Sequence, residues 1–232
     1  SGDRDLAGGM KEDDEVAVGR AVQLREQLGD ADVVVLSVGP DRVKETMKKA
    51  LAMGADRGVH IQDEASHEKD PFQIASAIAA YADQQGFDMI FTGMQSQDRG
   101  SAQVGVLLAG LLGLPAVTTV VDFTCDGKQA TVKRELEGGI KAIVKLAVPA
   151  LFTCQLGLNT PRYPTLPNIM KAKKKEILTL PIAELHKAEA LTTTNLVRFP
   201  EKKGAGLILE GDVGELTEQL IHILKDKTTV LK

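Results

Sequence analysis

The residues best placed for chemistry lie in one polar stretch, Gly93-Met94-Gln95-Ser96-Gln97-Asp98-Arg99-Gly100-Ser101-Ala102-Gln103-Val104-Gly105, which leads from a strand-like segment into a helix-like one. Its glycines let a backbone approach a ligand closely, and the unpaired N–H groups that open a helix suit a phosphate. Ser101 is expected either to cap that helix or to touch the ligand through its hydroxyl. Any strand-to-helix loop also needs glycine and polar caps, so both readings stand. A second strand end, Val38-Gly39-Pro40, is the other candidate. Neither GxGxxG nor the P-loop pattern occurs, which disfavours an ordinary dinucleotide fold or a phosphate-transferring NTPase.

The other reactive side chains form no catalytic constellation and no metal site. His60, His67, His186 and His222 are scattered and are read as surface or packing residues. Glu135 and Glu137 flank Leu136 on an expected strand and would share one face, as an acid pair or as a solvated strand face. Cys125 and Cys154 stand outside any CxxC pattern and are read as small buried hydrophobes. Lys171, Lys173, Lys174 and Lys175 form a basic cluster that reads as a solvated helix end, or as a patch steering an acidic partner.

These groups must be positioned by the elements around them. Ala17, Ala21, Leu24 and Leu28 mark a helix, and Val33–Val38 a strand. Asp41 is expected to cap a helix whose buried face is Val43, Met47, Ala50 and Leu51. A strand at 58–61, a helix opened by Asp70-Pro71 and a strand at 88–92 follow. Strands written as continuous apolar runs between helices imply a parallel sheet covered on both faces. The fold class is therefore α/β, doubly wound, with a mainly parallel sheet. Gln129–Leu136, Ile140–Leu146 and Ala150–Gln155 are consecutive strands, and the Glu137-Gly138-Gly139 turn makes part of the sheet antiparallel. Three prolines then interrupt the chain at Pro161, Pro164 and Pro167, ahead of a short basic helix at Asn168–Glu176. Beyond residue 178 there are two weak strand signals and an amphipathic helix near Leu216–Leu224.

Composition narrows the classes further. The chain has 232 residues, with 28 Lys+Arg against 32 Asp+Glu and a net charge of −4. That acidity disfavours a nucleic-acid partner, and 3% aromatics without Trp disfavour a base-stacking platform. Ser101–Val121 carries no charge but breaks at Gly113-Leu114-Pro115, so it reads as a buried helix and strand, not a membrane span. Ser1–Glu15 is polar, without a secretory signal, and with the cysteine usage it implies a reducing intracellular compartment.

Ser37-Val38-Gly39-Pro40, Ala50–Arg57, the Gly93–Gly105 loop, Arg134–Gly139 and Asn159–Lys175 together resemble, in order, the β subunit of the electron transfer flavoprotein family. The resemblance implies a fold like that of adenine nucleotide α-hydrolases and a heterodimer with an α subunit that holds FAD. The pair would carry electrons from flavin-containing dehydrogenases, often acyl-CoA dehydrogenases of fatty acid oxidation, to a membrane quinone oxidoreductase. Within it the β subunit binds AMP structurally, or a second FAD in electron-bifurcating members that use NADH. By position, the cofactor-binding residues are Val38, the segment Lys11, Glu12, Asp13 and Asp14, and the loop Gly93, Met94, Gln95, Ser96, Gln97, Asp98, Arg99, Gly100, Ser101, Ala102, Gln103 and Val104. The partner-recognition loop at 159–175 supplies Leu166 as the inserted anchor, with Pro161, Arg162, Tyr163, Pro167, Ile169, Met170, Lys171 and Lys174 around it.

The family's first strand and loop are absent here, and Lys11-Glu12-Asp13-Asp14 stands where many members have Asn-Pro. Ala102-Gln103-Val104-Gly105 looks like the loop of bifurcating members, whereas Gln97-Asp98-Arg99-Gly100 fits neither type. The expected organisation is an α/β nucleotide-binding domain over 1–177 and an arm over 178–232 that docks on the α subunit. The implied compartment is bacterial cytoplasm, or mitochondrial matrix in a eukaryote. A stand-alone adenine-nucleotide-binding regulatory module is the rival of another class.

Overall fold

The computed structural model describes residues 9–185, 188–199, 204 and 206–229. Its elements run α1 (Glu12–Leu28), β1 (Val34–Gly39), α2 (Val43–Met53), β2 (Arg57–Gln62), α3 (Pro71–Ala82), β3 (Met89–Gly93), α4 (Val104–Leu111), β4 (Ala116–Cys125), β5 (Gln129–Glu135), β6 (Lys141–Ala147), β7 (Ala150–Cys154), α5 (Leu166–Ala172), β8 (Ile177–Pro181) and α6 (Val213–Lys227). The strands form two hydrogen-bonded ladders, ordered β1-β2-β8 and β3-β7-β4-β5-β6. All pairings are parallel except β4–β5 and β5–β6. The mainly parallel, mixed sheet is the expected α/β architecture, and the antiparallel part sits at the Glu137–Gly139 turn.

Side-chain alternation decides which helices cover which face. Val59 and Ile61 of β2 pack with Ala77 and Tyr81 of α3, and Leu151 of β7 packs with Ala75, Ala79, Leu108 and Ala109 of α3 and α4. On the other face Phe152, beside Leu151, meets Leu24 of α1, while Val22 of α1 joins Leu51 and Ala52 of α2 and Ala172 of α5. Phe91, Phe123 and Phe152 form an aromatic cluster with centroids 4.9–5.4 Å apart, and the Arg20 guanidinium lies 5.1 Å over the Phe123 ring. Both cysteines are buried and free, and burial pushes the Cys154 thiol up to about 12. Ser101–Val121 resolves into α4 and the start of β4, and among the described residues no helix is long and apolar enough to cross a membrane.

Several local expectations are corrected. Arg42, not Asp41, stands at the N-cap of α2 without a side-chain cap; the Asp41 carboxylate is taken by Lys44 at 2.5 Å instead. Glu137 lies in a 3-10 turn beyond β5, so it shares no strand face with Glu135. The short basic helix α5 starts at Leu166, earlier than expected, because Thr165 accepts the Asn168 N–H at 3.4 Å and Pro167 fits the first turn. Of the two weak strand signals beyond residue 178, the described residues contain β8 alone. His186 lies outside the described residues.

Contacts divide the chain into a unit over 1–193, which includes β8, and a second over 194–232. The second unit is built on α6, opened by an Asp212–Glu215 capping box and without a buried residue.

Candidate functional site

The parallel ladder brings the carboxyl ends of β3 and β7 to one edge, since Gly93 pairs with Cys154, level with Val120 in the middle of β4. In open α/β sheets this carboxyl edge is where ligands bind. Two helix N-termini converge on it. The Asp14 carboxylate, in the first turn of α1, accepts the Gly93 N–H at 3.2 Å, and a Cβ on residue 93 would collide with it. Lys11 donates to Gln95 O at 2.8 Å and pairs with buried Asp13 at 2.6 Å. Asp14 stays exposed at the mouth. Dehydration by the surrounding protein raises its pKa, against the lowering effect of the Gly93 N–H. From the other side α4 approaches so closely that a Cβ on Gly105 would lie 2.6 Å from Thr92 Oγ1 and 3.0 Å from Thr153 Cγ2.

Between these anchors the loop from Ser96 to Gln103 is exposed. Ser96 O accepts the Gly100 N–H at 3.1 Å, and Asp98 Oδ1 accepts the Arg99 N–H at 2.8 Å. The Ser96 hydroxyl holds the Asp98 carboxyl below its ordinary value. Gly100 and Ala102 both have positive φ, at 58° and 52°. Ser101 does not cap α4: Gln103 occupies the N-cap without a side-chain bond. Val104 packs into the α3–α4 cluster.

The second expected segment is joined to this loop by a strap that sequence reasoning missed. Val38 spends its side chain on the cluster around Val59 and Ile61. Gly39 O accepts from His60 Nε2 at 2.8 Å and from the Asp63 N–H at 2.9 Å. Asp63 pairs with Lys69 at 2.7 Å, and Arg99 reaches back to the carbonyls of Lys69, at 2.5 Å, and His67. Residues 63–70 thus span from the end of β1 to the polar loop. The polar run between Gln62 and Asp70 carries no periodicity that would have announced this role.

A further feature had no sequence signal. Thr119, a β-branched residue, has φ 56°, a conformation that costs on the order of 1–3 kcal/mol. It sits where the β4–β7 register shifts. Its N–H donates to Thr153 Oγ1 at 3.2 Å, and its hydroxyl donates to Glu135 O at 2.7 Å. The bulge sets out a polar ledge at the same edge, with Arg134 donating to Thr118 Oγ1 at 2.9 Å and Gln155 to the Glu135 carboxylate at 3.0 Å.

A separate surface is formed around α5. Tyr163 is 88% exposed, Leu166 79% and Met170 61%, and Ile169 is partly exposed. Pro167, Lys171 and Lys174 are exposed as well, while Pro161 is half-buried. Arg162 grips Glu26 of α1 with two bonds of 2.6 and 2.5 Å, and Lys175 donates to Leu51 O and Ala55 O at 3.0 and 2.5 Å. Lys175 therefore ties down the last turn of α2 and the residue after its cap, while Lys171, Lys173 and Lys174 stay exposed. A cleft of about 510 Å³ lies between this segment, α1 and α2.

The electron transfer flavoprotein domain matches residues 3–185, the greater part of the chain. The chain belongs to the electron transfer flavoprotein family. It is 37% identical over 224 residues to the electron transfer flavoprotein subunit beta of Bacillus subtilis (strain 168), covering 94% of this chain and 86% of that one. The human subunit beta is 38% identical over 215 residues, covering 91% and 82%. That of Bradyrhizobium diazoefficiens is 39% identical over 212 residues, covering 89% and 82%. Electron transport by a flavoprotein is thus the family's function, and both bacterial and mammalian members are similar to this chain.

Of the residues expected at the nucleotide site, the structure brings Lys11, Asp13 and Asp14 against Gly93 and Gln95, and ties Arg99 through the strap to Gly39 beside Val38. Glu12 is exposed in the first turn of α1 and makes none of these contacts.

Proposed function

We propose that this chain is the β subunit of a heterodimeric electron carrier. It binds AMP at the crevice around Gly93–Val104 and pairs with an α subunit that holds most of the FAD contacts. The pair receives electrons from flavin-containing dehydrogenases, such as acyl-CoA dehydrogenases, and delivers them to a membrane quinone reductase. The observation that carries the reading is the convergence of α1, α4 and the strap on the carboxyl edge of β3 and β7, beside the middle of β4. It gathers glycine backbone and two helix N-termini at one edge, with Lys11, paired to Asp13, and Arg99, bonded to the strap, beside them. Redox chemistry would belong to the flavin, and this chain's residues would bind and orient.

The surface around Leu166 supports the docking half of the proposal. A protruding apolar side chain ringed by Arg162, Lys171 and Lys174 suits a short-lived complex, with a desolvated anchor and a charged rim. The exposed apolar side chains of α6, Leu220 and Ile221 among them, fit an arm that docks on the α subunit. Its compartment would be bacterial cytoplasm or mitochondrial matrix, according to the host.

The test is to co-purify the chain with its partner subunit, denature the complex in acid and quantify the released nucleotides. One FAD and one AMP per heterodimer is the expected result. Two FAD and no AMP would move the protein to the bifurcating type, which Ala102-Gln103-Val104-Gly105 resembles. Absence of flavin would overturn the carrier reading and leave a nucleotide-binding module.

A further inference from the structure

His60 is fully buried on β2, its Nε2 2.8 Å from Gly39 O and its Nδ1 without a partner among the described residues. A carbonyl can only accept, so Nε2 carries a hydrogen and donates it to Gly39 O. The same carbonyl takes the Asp63 N–H at 2.9 Å. Two donors therefore pull one oxygen towards β2. The following residue is Pro40, which has no N–H, so the last peptide of β1 offers an acceptor and no donor. Position 39 has no room for a side chain, since a Cβ there would lie 2.7 Å from Val43 Cγ1 of α2. A free carbonyl oxygen at this strand end would repel a phosphate, and one bonded twice is both neutralised and turned aside.

We infer that His60 is a positioning residue for a phosphate-bearing ligand: by donating from Nε2 to Gly39 O, it holds the carbonyl end of β1 back from the crevice beside Val38. This rests on the nucleotide-site reading above. It extends that site to a buried side chain on a neighbouring strand, which would not touch the ligand.

The experiment uses the chain co-purified with its partner subunit, stripped of nucleotide and titrated with AMP by equilibrium dialysis. His60→Leu keeps the apolar bulk and removes the donor, whereas His60→Gln keeps a side-chain N–H. The expected result is a loss of AMP affinity of about tenfold for His60→Leu and less than about threefold for His60→Gln, with nucleotide-free melting temperatures alike. If His60→Leu does not fold, His60→Asn, whose amide is too short to reach Gly39 O, takes its place with the same expected loss. Equal AMP affinity in all variants and the parent would overturn the inference, as would equal weakening in the Leu (or Asn) and Gln variants, which marks His60 as core packing only. A parent complex that takes up no AMP would instead bring down the nucleotide-site reading, and this inference with it.

Discussion

Gly105 sets a tight limit on what the crevice tolerates at a single residue. A methyl group there would press on Thr92 Oγ1 at 2.6 Å, at the point where α4 meets the ends of β3 and β7. Gly105→Ala should destabilise the protein by about 1–3 kcal/mol and lower its nucleotide content, as read by denaturant unfolding and nucleotide release. Gly110, on the same helix, has nothing within 4 Å of its would-be Cβ. Gly110→Ala should stabilise by about 0.5–1 kcal/mol through helix propensity alone, and the pair separates crowding from propensity. The buried Cys154 thiol, pushed up to about 12, stays neutral and shielded at pH 8. Iodoacetamide should leave it unmodified in native protein and alkylate it after unfolding, as read by mass spectrometry.

The start of α3 makes the corresponding point for an element. Asp70 accepts the Gln73 N–H in a capping box and also the N–H groups of Leu191 and Thr192, at 2.7 and 2.9 Å. Burial alone would raise its pKa, yet those N–H donors outweigh it and hold the carboxyl below its ordinary 3.8. Its stabilisation is therefore complete above the unfolded value and disappears as pH falls through the lower folded one. Asp70→Ala should cost about 0.5–2 kcal/mol at pH 7 and flatten the loss of stability below about pH 4, as read by thermal melts across pH. The sequence made this cap legible because Asp suits the N-cap and Pro the first helical position. The strands were legible for a similar reason, since buried parallel strands must be written as apolar runs. Asp41 looked equally good as a cap, but its carboxylate went to Lys44, and a residue's type does not reveal which neighbour wins it. The bulge at Thr119 and the strap at 63–70 were hidden more deeply. Thr118-Thr119 is ordinary strand composition, and its positive φ is imposed by tertiary bonds to Thr153 and Glu135. The candidate crevice was found through its glycines, while the groups that hold it in place, Thr92, Thr153 and His60, read only as strand interior.

For the whole molecule, the prediction concerns what leaves the core untouched. Leu166 is 79% exposed, so Leu166→Ala should leave melting temperature and nucleotide content unchanged. Electron transfer from the partner dehydrogenase should slow by about tenfold or more in stopped-flow measurements, the scale of a lost interface anchor. Unchanged rates would remove this surface from the docking site. Its neighbour Tyr163 gives the same surface an optical handle. The chain has two tyrosines and no tryptophan. Tyr81 is enclosed beside Phe87 in the α3 cluster, and Tyr163 stands 88% in solvent. Ultraviolet emission from this chain is thus divided between one shielded phenol and one on the surface proposed for docking, so a Tyr163→Phe comparison isolates a fluorophore that the protein already carries where a partner would arrive.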